Sequence, residues 1–130
     1  MNSIFIPSNV ASSKNSKNIF KNKHTGKMFI SSSDLTKEYI LRTELHWVLN
    51  RPKFLKLISG MDKPLHIEFQ FVRASKRRFD FVNLLQLPLD CMVKYEWIDD
   101  DDTTNIVPVI NPEVLYSKDS PGLFIKHLNK

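Results

Sequence analysis

Leu65-His-Ile-Glu-Phe-Gln-Phe-Val72 alternates strictly, with Leu65, Ile67, Phe69 and Phe71 on one side and His66, Glu68 and Gln70 on the other. A period of two marks a strand with one face in a core and the other toward water. The strand delivers the chain into a basic run, Arg73, Lys76, Arg77 and Arg78, and then to Phe79-Asp80. A helical pattern follows from about Asn83 to Glu96, in which Pro88 either kinks the helix or marks a late start. Strand and helix in this order predict a mixed α/β domain: a central mixed sheet of five or six strands with two main helices packed on it.

The rest of the chain supplies the other elements. Upstream, Ser3-Ile-Phe-Ile-Pro7 reads as a short strand, and the Ser-, Asn- and Lys-rich stretch 8–17 as a loop. Residues 18–30 read as a hairpin around His24-Thr25-Gly26. Ser32 and Ser33 can cap a helix that Asp34 suits electrostatically and that runs to about Asn50. Leu41, Leu45 and Val48, joined by Ile40 and Trp47, recur at helical spacing and are predicted to face the core. Pro52 is predicted to break this helix, with a shorter piece from Lys53 to Ser59 stopping at Gly60. Downstream, Asp99 to Asp102 form an acidic turn. Strands at 105–110 and 123–127, with Pro121-Gly122 as a turn between them, complete the sheet.

A chain of 130 residues has room for one domain, spanning residues 1 to 130. An apolar share of 42% is that of a globular protein. Cys91 is the only cysteine, so an internal disulfide is excluded and a reducing compartment is the natural reading. Neither a membrane-spanning run nor a signal-peptide pattern is visible, and the expected location is the cytoplasm, without a membrane partner. The net charge is +5, and its distribution is more telling than its size. Residues 1 to 33 carry Lys14, Lys17, Lys21, Lys23 and Lys27 and no acid, and Arg73, Lys76, Arg77 and Arg78 form a second cluster. Segregated positive charge draws a phosphate backbone whatever its sequence, although lysine-rich loops also serve solubility alone.

The second helix carries the candidate chemistry. Asn83, Gln86, Asp90 and Lys94 lie along one stripe, while Leu84, Leu85, Leu87, Cys91 and Met92 take the other faces. Asp80 precedes this helix and the aspartate run follows it. Carboxylate and amide oxygens suit a hard ion such as Mg²⁺, with Mn²⁺ as a substitute. The alternative is ordinary structure: a solvated acidic turn, and an aspartate serving as a helix cap. Fourteen helical residues span roughly 21 Å, so convergence requires the acidic turn to curl back along the helix, with Asp90 between the ends. The four histidines have no ligand spacing, and neither a nucleophile pair nor a glycine-rich nucleotide loop is present, so zinc and nucleotide cofactors are not expected. Trp97 can be read as a base-stacking ring or, more plainly, as a core aromatic.

Three segments also resemble the RusA-type Holliday junction resolvases, small phage-derived nucleases of DNA recombination and repair. The segments are Pro7-Ser-Asn-Val-Ala-Ser-Ser-Lys14 with the basic hairpin, Lys76-Arg-Arg-Phe-Asp-Phe-Val-Asn83, and Asp90 through Trp97 to Asp102 with Val107-Pro-Val109 beyond. The family motif is a basic run, then Asp-x-Asp-Asn opening a helix, then paired aspartates after a Trp-containing turn. The resemblance covers nearly the whole chain. It implies a homodimer that cuts four-way DNA junctions by Mg²⁺-assisted attack of water on a phosphodiester.

Carried over by position, the resemblance makes Asp80, Asp100 and Asp101 catalytic and metal-binding, and Asn83 an orienting neighbour. The register within Asp99 to Asp102 stays open by one. Lys14, Lys17, Lys21, Lys23, Lys27, Arg73, Lys76, Arg77 and Arg78 become phosphate contacts. Val82 stands where the family has its second aspartate, and Gln86 where it often has lysine. Either Asp90 supplies the missing metal-binding carboxylate or the site is weak or inactive. In the second case the chain only binds branched DNA or a regulatory partner. A structural protein of a mobile element is a third reading, which gives the basic clusters no task.

Overall fold

The computed structural model describes residues 3–12, 17–21, 28–32 and 34–128. The elements run β1 (Ser3–Pro7), β2 (Lys17–Lys21), β3 (Met28–Ser32), α1 (Asp34–Leu57), β4 (Leu65–Arg73), α2 (Phe81–Lys94), β5 (Ile106–Ile110), β6 (Leu115–Tyr116) and β7 (Gly122–His127). A five-stranded mixed sheet has the order β1-β7-β4-β5, with β6 also on β4, and β2 and β3 form a separate antiparallel pair. The fold is the mixed α/β class that the alternating strand predicts. Leu65, Ile67, Phe69 and Phe71 are all buried, as their alternation requires.

The connection β4–α2–β5 fixes where everything else lies. β4 and β5 are parallel, with Leu65 opposite Ile106 and Phe69 opposite Ile110. Parallel neighbours need a crossover, and α2 provides it. The chain therefore leaves β4 at one end of the sheet and re-enters β5 at the other. β5 pairs only with β4 among the described residues, and it carries Pro108, exposed, near its middle. Proline cannot donate to a ladder, so its nitrogen belongs on the side without a neighbour. β6, which the turn signals do not reveal, pairs with Val72 and Arg73 at the end of β4. The expected turn at Pro121-Gly122 is instead the start of β7. A side chain at Gly122 would collide with the Phe5 ring and lie 2.6 Å from the Ile6 carbonyl oxygen, so glycine is required where β1 crosses it.

α1 corrects two expectations. It runs unbroken over 24 residues with Pro52 inside it. Proline removes one helical N–H and crowds the preceding turn. Here the helix is anchored on both sides of Pro52 by buried Trp47 and Phe54, which outweighs that local cost. The chain then stops at Gly60, whose φ of +77° suits glycine. Of the expected cap residues, Ser32 ends β3 and Ser33 lies outside the described residues.

The second correction concerns which face is inside. Tyr39, Thr43, Trp47 and Phe54 are buried, whereas Leu41, Leu45 and Val48 are 74%, 63% and 51% exposed. α1 offers two stripes on opposite sides, and the bulkier aromatic stripe wins the core because it removes more apolar surface from water. Ile40 lies at the margin of that core and is half-buried. Thr43 is buried without penalty: its hydroxyl donates to the Tyr39 carbonyl oxygen at 2.7 Å and accepts the Trp47 indole N–H at 3.1 Å.

α2 starts two residues earlier than expected. Asp80 is its N-cap, and its carboxylate accepts the Val82 N–H at 2.9 Å. Leu84, Leu85, Leu87, Pro88, Leu89, Cys91 and Met92 are buried, so Pro88 is absorbed into the core face. Burial pushes the Cys91 thiol up to about 12, with the neighbouring Asp90 adding to the rise. Trp97 is a core residue, 4.8 Å ring to ring from Phe54 and 5.0 Å from Trp47. No described helix is long and apolar enough to cross a membrane.

Candidate nucleic-acid interface

β4 ends at Arg73, and the loop 74–80 carries the basic run to the start of α2. Packing beneath the loop holds it. Phe79 lies between Phe71 and Phe81, at centroid distances of 6.5 and 5.2 Å. The Ala74 N–H donates to the Asn9 side chain at 3.0 Å, which joins the loop to the segment after β1.

Arg73 belongs to this scaffold. Its guanidinium donates to the Val10 carbonyl oxygen and sits 5.1 Å above the Phe79 ring. Half-burial pulls its pKa down. Its expected role in phosphate binding therefore gives way to a structural one. Lys76, Arg77 and Arg78 are exposed. Lys76 reaches over the Tyr116 ring at 5.6 Å, a partner that no sequence period signals because β6 is only two residues long. Arg77 and Arg78 form no ion pair with an acidic side chain among the described residues. Two uncommitted guanidinium groups beside a helix N-terminus make an electropositive rim.

The first lysine cluster is only partly placed. Lys17 and Lys21 end β2, while Lys14, Lys23 and Lys27 lie outside the described residues.

Asp80 is exposed beside Arg78, in a shallow depression lined also by Phe79, Phe81 and Val82. Val82 is 71% exposed at the second position of α2. Asp80 has extended backbone angles whereas Val82 is already helical. Asn83, one position on, is half-buried.

The remaining candidate carboxylates are elsewhere. Asp90 accepts the Gln86 side-chain N–H at 2.7 Å on the outer face of α2, which bears out the stripe. The chain then turns tightly, with the Trp97 N–H on the Met92 carbonyl oxygen at 2.8 Å. Asp99 pairs with Lys63 at 3.0 Å, and Lys63 also donates to the Asn105 side chain. The Asn105 carbonyl oxygen receives the Leu65 N–H, at the first residue of β4. The Asp100 carboxylate accepts the Asp101 N–H at 2.8 Å, and Asp102 accepts from Asn105 and Thr104. Those bonds, with Asn105 the larger contributor, hold the Asp102 carboxyl below its ordinary range.

Asp80 thus lies where β4 ends, and Asp99 to Asp102 lie where β4 begins. The whole of α2, about 21 Å long, separates them, and Asp90 is roughly 15 Å along it from Asp80. The acidic turn does not curl back. Among the described residues no three His, Cys, Asp or Glu side chains gather as a metal-holding group. The donor chemistry suits Mg²⁺, but this arrangement within one chain does not fit a shared ion, and no chemical step is assigned to one. Across the whole chain, no protein-family model and no curated protein matches the sequence.

Proposed function

We propose that the chain is a RusA-like protein that grips branched DNA by its phosphates through the loop between β4 and α2. The observation that carries this reading is the exposed Lys76-Arg77-Arg78 run, whose two arginines are uncommitted, at the N-terminus of a helix. Charge of this kind positions a nucleic-acid backbone and leaves sequence unread. Asp80 in the same depression is the carboxylate that the three-part resemblance associates with hydrolysis, so Mg²⁺-dependent cutting of four-way junctions is the activity that follows.

Binding without cutting is the second reading. Two observations favour it: Val82 leaves the second motif position without a carboxylate, and the acidic turn is far from Asp80 within one chain.

A synthetic four-way junction and a linear duplex of the same sequence, each with and without Mg²⁺, provide the test. Tighter retention of the junction with Mg²⁺-dependent products supports the nuclease. Tight retention without products selects the second reading. Equal affinity for both DNAs without cutting overturns the proposal.

A further inference from the structure

The face of α1 turned away from the core is apolar. Leu41, Leu45, Val48 and Leu49 are 74%, 63%, 51% and 65% exposed, and Leu55 continues the row at 36%. Leu41, Leu45 and Leu49 each lie two residues, about 200° of helix, beyond buried Tyr39, Thr43 and Trp47. The stripe is therefore directly opposite the core. Contiguous apolar surface of this extent on a soluble protein marks a contact with something else.

Charge along the same helix identifies what that is. Its first half carries Asp34, Glu38 and Glu44 against Lys37 and Arg42, and its second half carries Arg51, Lys53 and Lys56 without an acid. Two such helices side by side and parallel would set the three-cation halves against each other. Antiparallel, the cationic half of each meets the acidic half of the other, with Glu38 across from Lys56 when the two-fold axis passes near residue 47. We infer that this face binds a second copy of the chain, with the two α1 helices antiparallel about a two-fold axis.

The pairing has a consequence for the DNA site, and it goes beyond the reading above without depending on it. The first half of α1 lies at the Arg73 end of β4, where Leu35, Glu38 and Arg42 share a groove with Arg73 and Asn9. The second half lies at the other end, where Arg51 donates to the Glu96 carbonyl oxygen and the Trp97 indole to that of Trp47. Antiparallel α1 helices thus bring the Asp80 end of one protomer to the same end of the dimer as the acidic turn of its partner. The two motif halves that one chain keeps apart become neighbours in the pair.

A face about 36 Å long and 10 Å wide offers each protomer on the order of 360 Å², below the standard of about 800 Å². The dimer is therefore expected to dissociate on dilution, with a dissociation constant in the micromolar range.

Sedimentation velocity of the full chain across a hundredfold concentration range tests the proposal. The expected result is a shift from one to two chain masses. Leu45→Glu should remain monomeric with an unchanged melting temperature. Glu38→Lys should weaken the dimer at least tenfold, and adding Lys56→Glu should restore it. Val48→Cys, near the axis, should cross-link under oxidation, whereas Leu55→Cys should not. A wild-type chain that stays monomeric throughout overturns the inference. So does equal cross-linking at positions 48 and 55, which signifies parallel helices. A monomer in which Leu45→Glu also lowers the melting temperature means that the chain itself covers the stripe, and likewise overturns it. Mass is the readout, so failure to bind DNA bears only on the proposed function.

Discussion

Trp97 donates its indole N–H to the backbone carbonyl oxygen of Trp47 at 2.9 Å, in the middle of α1. That bond fastens the exit of α2 to the helix beneath it and so sets where the acidic turn begins. Replacing Trp97 with Phe keeps a ring but leaves the Trp47 oxygen unpaired in the core. The expected cost is about 2 kcal/mol, combining a lost buried hydrogen bond with lost volume. Urea unfolding should show a lower midpoint with an unchanged slope. Asp100→Asn, on the exposed turn, should move the midpoint by less than about 0.5 kcal/mol.

Position 82 is open to a test of the motif. Val82 is 71% exposed in the first turn of α2, so Val82→Asp buries no charge and should leave stability unchanged or raise it by up to about 1 kcal/mol. Under the nuclease reading it also strengthens Mg²⁺ binding and increases junction cutting. Asp80→Asn keeps the cap and should abolish cutting while sparing DNA binding; Asp80→Ala should in addition cost about 1 kcal/mol. Thermal melts and a junction-cleavage gel on the same preparations separate the cap from the chemistry. A Val82→Asp protein that melts well below wild type would contradict the exposed placement.

DNA affinity should fall steeply with salt. Each phosphate contact contributes about −0.9 to the slope of log K against log salt, so removing one flattens the slope by that amount. Arg77→Ala and Arg78→Ala should each do so. Arg73→Ala should instead destabilise the fold, since its guanidinium joins the loop to Val10 and Phe79. A fluorescence-anisotropy titration at four salt concentrations distinguishes the two kinds of arginine.

Alkaline pH should weaken the fold through Cys91. Its thiol has an ordinary value of 9.0 and is raised by burial, with help from Asp90, to about 12. The unfolded chain therefore loses this proton first. The stabilisation is complete below pH 9 and disappears as pH climbs toward 12, on the order of 4 kcal/mol at most. Burial raises the Tyr39 hydroxyl as well, so Cys91→Ala should remove part of the pH dependence and Tyr39→Phe more of it. Denaturant midpoints between pH 8 and 11 measure this. The native thiol should also resist alkylation at pH 8, because little thiolate is present.

Local patterning made β4 legible, because alternation in a half-buried strand has only one reading. The helix after Asp80 and the β2–β3 pairing were legible for the same reason. α1 was not, because two apolar stripes share one helix and only the rest of the fold decides which one turns inward. Leu41 and Tyr39 look equally eligible along the chain. Pro52 misled in the same direction: its local cost is real, and the buried rings on either side outweigh it. In the site, Asp80 as a cap could be read directly from its place before the helix. The distance from Asp80 to the aspartate run could not, since it depends on β4 and β5 being parallel. Hydrogen-bond direction between strands leaves no trace in residue spacing.

Pro108 has a bearing on handling the protein. With its nitrogen unable to donate at the middle of β5, the outer edge of that strand is a poor template for another chain to extend. Sheet-to-sheet growth into fibrils is blunted on that side, so concentrated solutions should be resistant to strand-templated aggregation. Pro108→Val would supply the missing donor and turn a blocked margin into an adhesive one.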